Sequence, residues 1–103
     1  MQVSFRWIAV IGLLGAASAV RADYDLVVKK NCLACHQVDK RKYGPNFKEV
    51  SAKYADQKNA AEVLAKKIRR GGTGVWGPDV MPPQPQVSAA EARALAAYVL
   101  SLK

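Results

Sequence analysis

Cysteine occurs only twice in these 103 residues, histidine once, and methionine twice, one of the two being the initiator. Two thiols and one imidazole fall one donor short of a four-ligand structural zinc. Carboxylates are few as well: eight stand against sixteen Lys and Arg, giving a formal net charge of +8. No alternation of strand type, no internal repeat and no second domain is legible. No apolar run is long enough for a membrane helix, since the uncharged stretch between Arg6 and Arg21 falls below the 18 to 20 residues or so that a span requires.

The scarce residues are concentrated. Cys32-Leu33-Ala34-Cys35-His36 has the C-x-x-C-H spacing at which a chain takes haem covalently. Two thiols on one short turn can add to the two vinyl groups of a porphyrin, and the adjoining imidazole then meets the iron. A thiol redox pair is the competing reading, but it calls for a βαβ surround that this sequence does not offer. The expected cofactor is one haem c per chain.

The N-terminus supplies a setting. Arg6 and the terminal amine precede an uncharged apolar stretch, Trp7 to Val20, and small residues follow at Ala17-Ser18-Ala19 and Val20-Arg21-Ala22. That pattern predicts a signal peptide, residues 1–22, cleaved after Ala22 or alternatively after Ala19, and a mature domain of residues 23–103. A retained anchor is the alternative, and it is too short. Haem c is attached on the outer side of the membrane, so the expected location is a bacterial periplasm. Removal of residues 1–22 leaves 81 residues with fourteen cations and eight carboxylates. So small a domain needs reinforcement, and the macrocycle must form the centre of its core. The apo-chain should be close to unfolded. A mature charge near +6 favours acidic protein surfaces or anionic membrane as partners and makes nucleic acid improbable outside the cytoplasm, although lysines along amphipathic helices also serve simply as a solvated face.

The mature chain reads as helical throughout. Asp23 caps a helix to about Lys30, and Lys40 to Asn46 is a loop containing Gly44-Pro45. Phe47 to Tyr54 is a short helix. Asn59 and Glu62 predict a capping pair at the start of a third, with Val63, Leu64, Ala65 and Ile68 buried and Gly71-Gly72 ending it in a left-handed turn. Thr73 to Val87 holds two Gly and four Pro and cannot be regular, and a loop of that length is commonly functional. Ser88 and Glu91 form a capping box opening a last helix to about Leu102, whose apolar face is Ala92, Leu95, Ala96, Val99 and Leu102. Met81 lies in the proline-stiffened loop. A methionine is ordinarily a flexible core filler, but here it is the one soft donor left to close the sixth position of a His36-ligated iron. A His/Met pair raises the reduction potential.

Cys32-x-x-Cys35-His36, Gly44-Pro45, Gly74-Val75-Trp76-Gly77-Pro78 and Met81-Pro82-Pro83, in this order and at these intervals, resemble the short class I bacterial cytochromes c, of the kind that carry electrons to periplasmic nitrite reductase. The resemblance covers Asp23 to Lys103. It implies an all-α fold of four short helices wrapped around one covalently attached haem, the first and last crossing. It also implies that Pro45 offers its carbonyl to the distal nitrogen of His36 and that Phe47, Tyr54, Leu64 and Ile68 line the pocket. Trp76 would turn its indole N–H to a haem propionate, or else simply pack in the small core; Lys67 would lie near the propionates, or in solvent. Relatives often place Asn after M-P-P, able to bond the ligand sulfur, where this chain has Gln84 followed by Pro85. The implied function is one-electron transfer without a reaction of its own, as a monomer with no stable membrane insertion. The partners implied are a quinol-oxidising complex upstream and a nitrite reductase, terminal oxidase or peroxidase downstream, met through acidic or apolar docking surfaces. The alternative is a haem enzyme or a gas or peroxide sensor whose Met81 dissociates.

Overall fold

Among the described residues, three of the four α-helices begin at a residue whose backbone is extended and whose side chain folds back on the first turn. In the computed structural model, which describes residues 20–103, α1 spans Tyr24–Lys29 and is capped by Asp23, whose carboxylate accepts from the Leu26 N–H at 3.1 Å. α2, Phe47–Tyr54, opens on a reciprocal box: the Asn46 side chain accepts from the Glu49 N–H at 2.7 Å while Glu49 accepts from the Asn46 N–H at 2.9 Å. α4, Ala89–Ser101, opens on the expected Ser88–Glu91 box. Each satisfies amide groups that a helix end otherwise leaves orphaned.

α3, Ala60–Arg70, departs from expectation. Asn59 makes no side-chain cap bond. Its backbone (φ −106°, ψ 26°) is not extended, because two tight turns in succession, Gln57 N–H to Tyr54 O and Ala60 N–H to Gln57 O, carry the chain directly from α2 into α3. The asparagine oxygen is thereby kept from the first-turn amides. Val63 and Ile68 are half-buried rather than buried, whereas Leu64 and Ala65 are buried. At the other end only Gly71 takes a positive φ, 75°. Gly72 instead pairs with Met81 in an antiparallel bridge, with N–H to O distances of 3.0 and 2.9 Å. A Cβ on Gly71 would run into the Met81 carbonyl, so the end of α3 and the methionine loop require glycine there.

α4 is the spine, packing against α3, α2 and α1. Its face Ala92, Leu95, Ala96 and Val99 is buried as expected, together with Ala94, while Leu102 is only half-buried and lies beyond the helix. The Ser51 hydroxyl on α2 reaches the Leu102 carbonyl at 2.7 Å and the Leu100 carbonyl at 3.2 Å, tying α2 to the last turn of α4. Val87, at the end of the long loop, is 2 % exposed and joins the core. Among the described residues five of the fourteen buried apolar ones are alanine, and the largest fully buried side chains are Leu95, Val27 and Val87. The polypeptide leaves its centre to something else. The signal-peptide expectation falls on residues that lie, up to Ala19, outside the described ones.

Candidate functional site

Between α1 and α2 the chain makes the turn that carries Cys32, Cys35 and His36. Asn31 takes a left-handed conformation (φ 63°), and the 3₁₀ turn Cys32–Ala34 follows. The Cys35 and His36 amides both donate to the Cys32 carbonyl, at 3.2 and 3.0 Å. The loop after it folds back at once: the Gly44 N–H donates to Cys35 O at 2.7 Å, and the first amides of α2 donate to Gln37 and Val38.

This return brings Pro45 beneath the histidine. His36 Nδ1 lies 2.8 Å from Pro45 O. A carbonyl can only accept, so Nδ1 carries the proton and Nε2 keeps its lone pair. The imidazole is fixed on two further sides, stacked on Phe47 with centroids 5.3 Å apart and backed by Gly44, where a Cβ would sit 2.6 Å from Cε1. Burial pushes the Cys32 thiol above its ordinary range, opposite to the shift that makes a redox-active thiolate.

One cleft gathers all these groups. Cys32, Cys35, His36, Pro45, Phe47, Tyr54, Leu64, Ile68, Trp76 and Met81 all line it. Lys67 lines it too, and the Lys53 ammonium lies 5.3 Å from the centroid of the Trp76 ring, while Arg41 donates to the Trp76 carbonyl at 3.0 Å. Sequence reasoning did not assign to the cleft its back wall, Val27, Leu95, Ala96 and Val99, or its rim, Tyr43, Val75 and Val80. The α4 residues carried a usable signal in their spacing; the rim residues, exposed and irregular, did not.

The Gln84 side chain is engaged within its own loop. Its amide donates to Pro82 O at 2.9 Å and its oxygen accepts from Gln86 at 2.7 Å. Gln86 and Lys30 are joined by two bonds, Lys30 Nζ to Gln86 O and Gln86 Nε2 to Lys30 O, and Lys30 also pairs with Glu91 at 2.9 Å. The methionine loop is thus fastened to both α1 and α4.

The model of the family described as Cytochrome c matches residues 24–103. The chain belongs to the cytochrome c family. It is 52 % identical to cytochrome c-552 of Nitrosomonas europaea over 87 residues, 84 % of each chain, and 46 % identical to cytochrome c-552 of Hydrogenobacter thermophilus over 99 residues, 96 % of this chain and 97 % of that one. The crystal structure of the Nitrosomonas europaea cytochrome c552 superposes with a TM-score of 0.77 at 53 % identity, covering 79 % of this chain and all of that one. This cytochrome is therefore a class I monohaem c-type cytochrome, all-α, with haem c as its cofactor and electron transport as its role. The residues present fit the group: a predominantly apolar cleft, a core of small side chains around it, two thiols and an imidazole on one turn, and a glycine where a side chain would displace that imidazole. Among the described residues no helix is long and apolar enough to cross a membrane, and no group of three His, Cys, Asp or Glu could hold a metal ion.

Proposed function

We propose that this cytochrome is a soluble periplasmic one-electron carrier, with residues 23–103 as the mature domain, in which Cys32 and Cys35 would tether the haem and His36 and Met81 would ligate its iron. The observation that carries the proposal is the convergence of these four residues on one cleft. When bound, haem c supplies a one-electron couple between ferrous and ferric iron.

The chain's own residues do the rest. His36 presents Nε2 because Pro45 holds its other nitrogen, and this bond also increases the basicity of the ring as a ligand. Met81 is held at both ends of its peptide unit by Gly72, so its side chain issues from a fixed point. Its thioether favours ferrous iron and raises the potential relative to a harder donor. Val27, Leu95, Ala96 and Val99 keep water from the back of the cleft. Phe47, Tyr54, Leu64 and Ile68 complete its lining, and Trp76 and Lys67, which also line the cleft, would donate to polar edges of the cofactor.

Electrons would pass at the cleft mouth, where the exposed Tyr43, Val75 and Val80 offer an apolar rim to a redox partner. A quinol-oxidising complex upstream and a nitrite reductase, terminal oxidase or peroxidase downstream fit a carrier of this kind. With His36 and Met81 both committed to the iron, the protein would perform no reaction on a substrate.

The test uses Met81→Ala. The variant should retain haem through acid–acetone extraction, lose the sulfur-to-iron charge-transfer band, show a lower potential and bind carbon monoxide in the ferrous state, which the wild type should not do at neutral pH. An unchanged band would show that another group holds the sixth position. Rapid carbon monoxide binding by the wild type would favour the enzyme or sensor.

A further inference from the structure

A second concavity lies outside the cofactor cleft, between the C-terminal half of α3 and the start of α4. It is a groove of about 430 Å³, and four cations line it: Lys66, Arg69 and Arg70 from α3 and Arg93 from α4. The single carboxylate on its wall is Glu62. Among the described residues none of the four cations makes a side-chain hydrogen bond or ion pair with the chain; of the cations flanking the Cys32–His36 turn, Lys30, Arg41 and Lys42 are engaged, by Glu91, the Trp76 carbonyl and the Leu33 carbonyl, and Lys29 and Lys40 are not.

Helix electrostatics accounts for part of this and leaves the rest. Arg69 and Arg70 sit in the last turn of α3, where a cation complements the negative end of the helix dipole. Arg93 sits in the second turn of α4, past the first turn in which the helix end acts, so no such effect accounts for it. A cation with no helix end to complement, facing three others across a groove, is suited to an external anion.

We infer that this groove is a docking site for an acidic segment of a protein redox partner. The inference rests on the carrier reading, because such a partner is what a carrier must meet. Concavity selects the occupant: a groove between two helices admits an extended chain with its carboxylates, whereas a bilayer presents a plane. The position gives docking a consequence. Gln84 lines both the groove and the cofactor cleft, and its N–H donates to Arg69 O at 3.3 Å, so a segment lying in the groove abuts the loop that carries Met81.

The experiment uses the haem-loaded protein, ¹⁵N-labelled, titrated with decaglutamate at low salt. Amide shifts should concentrate at Lys66, Arg69, Arg93 and Gln84. Exposed ion pairs are each worth about 1.4-fold to five-fold in affinity, so Arg69→Gln with Arg93→Gln should weaken binding by about two- to thirty-fold. Lys40→Gln with Lys42→Gln should leave it unchanged. Affinity should also fall from 0.01 M to 0.15 M salt, as the screening length shrinks from about 30 Å to about 8 Å. Shifts centred on Cys32 to Lys42, an unaffected groove variant, or binding to phosphatidylglycerol vesicles with none to decaglutamate would each overturn the inference. Reversible reduction by ascorbate is followed in the same samples. Its persistence without peptide binding refutes the groove alone, and its failure refutes the carrier reading.

Discussion

Gly44→Ala isolates the contribution of an absent side chain. Gly44 lies outside the positive-φ region, which here holds only Gly71, Gly74 and Gly77 among the described glycines, so alanine adds no backbone strain and the whole effect is one of contact. Its Cβ would stand 2.6 Å from His36 Cε1 and 2.9 Å from Nδ1, with the Cys35 carbonyl at 3.3 Å blocking retreat on its own side. Carbon atoms pack at about 3.5 Å or more, so the imidazole must withdraw by about 0.9 Å. Because Pro45 adjoins Gly44, that movement stretches the 2.8 Å bond from Nδ1 beyond the ordinary range of N–H···O bonds. Overpacking costs about 1–3 kcal/mol and the lost hydrogen bond about 1 kcal/mol, for a total of about 2–4 kcal/mol. In a domain of this size that lowers Tm by roughly 8 °C or more. Gly72→Ala is the control, since its Cβ meets nothing nearer than Lys67 Nζ at 3.8 Å. It should be neutral or stabilising by up to about 1 kcal/mol through the unfolded chain. Guanidinium unfolding followed by far-UV circular dichroism, with haem absorbance as a second probe, decides the matter. A Gly44→Ala midpoint equal to wild type, or an equal loss in Gly72→Ala, would refute the packing argument.

Ser51→Ala should cost about 1–2 kcal/mol in the same unfolding assay, because the hydroxyl of the buried Ser51 shares its one proton between the Leu102 and Leu100 carbonyls and its removal leaves the nearer, Leu102 O, short of a donor; an unchanged midpoint would mean water replaces it freely. Glu91 has its carboxyl held below the ordinary carboxylate range, first by the Ser88 backbone N–H and then by Lys30. A depressed folded value means that the unfolded chain binds the proton more readily. The contribution is therefore complete above the ordinary carboxylate range and is lost as pH falls through the folded value. Glu91→Gln should flatten that acid limb in a plot of Tm against pH, and an identical limb would show that other carboxylates produce it.

The fold was legible where physical chemistry acts locally. Asp23 and Ser88 announce their helices because an extended residue with a short acceptor side chain has few better things to do than satisfy the amides just ahead of it. Asn59 has the same side chain and fails, because its backbone is set by turns begun at Tyr54, five residues earlier. Asn46 forms a box that a reading attentive to Gly44-Pro45 as a loop passed over. Val87 gave no sign, since one apolar residue after a proline-rich stretch has no periodicity to belong to, and only its packing shows that the loop is anchored in the core.

The C-x-x-C-H turn and the methionine loop stood out for a different reason, namely scarcity. With one internal methionine and one histidine in the chain there was no second assignment to weigh, and the cleft gathers both. What surrounds them depends on residues distant in sequence, and such contacts leave no trace in spacing. Gly44 matters through atoms of His36 that it approaches only after a returning loop. Lys30 flanks the C-x-x-C-H turn in sequence, a position that would suit a docking cation. It is held instead by Gln86 and Glu91, 56 and 61 residues away, and belongs to the fastening of the Met81 loop. Counting cations near a motif thus misjudges which are free. Among the described residues four cations without an intrachain partner lie together on α3 and α4, where the groove between the two helices gives a solvated helix face a shape.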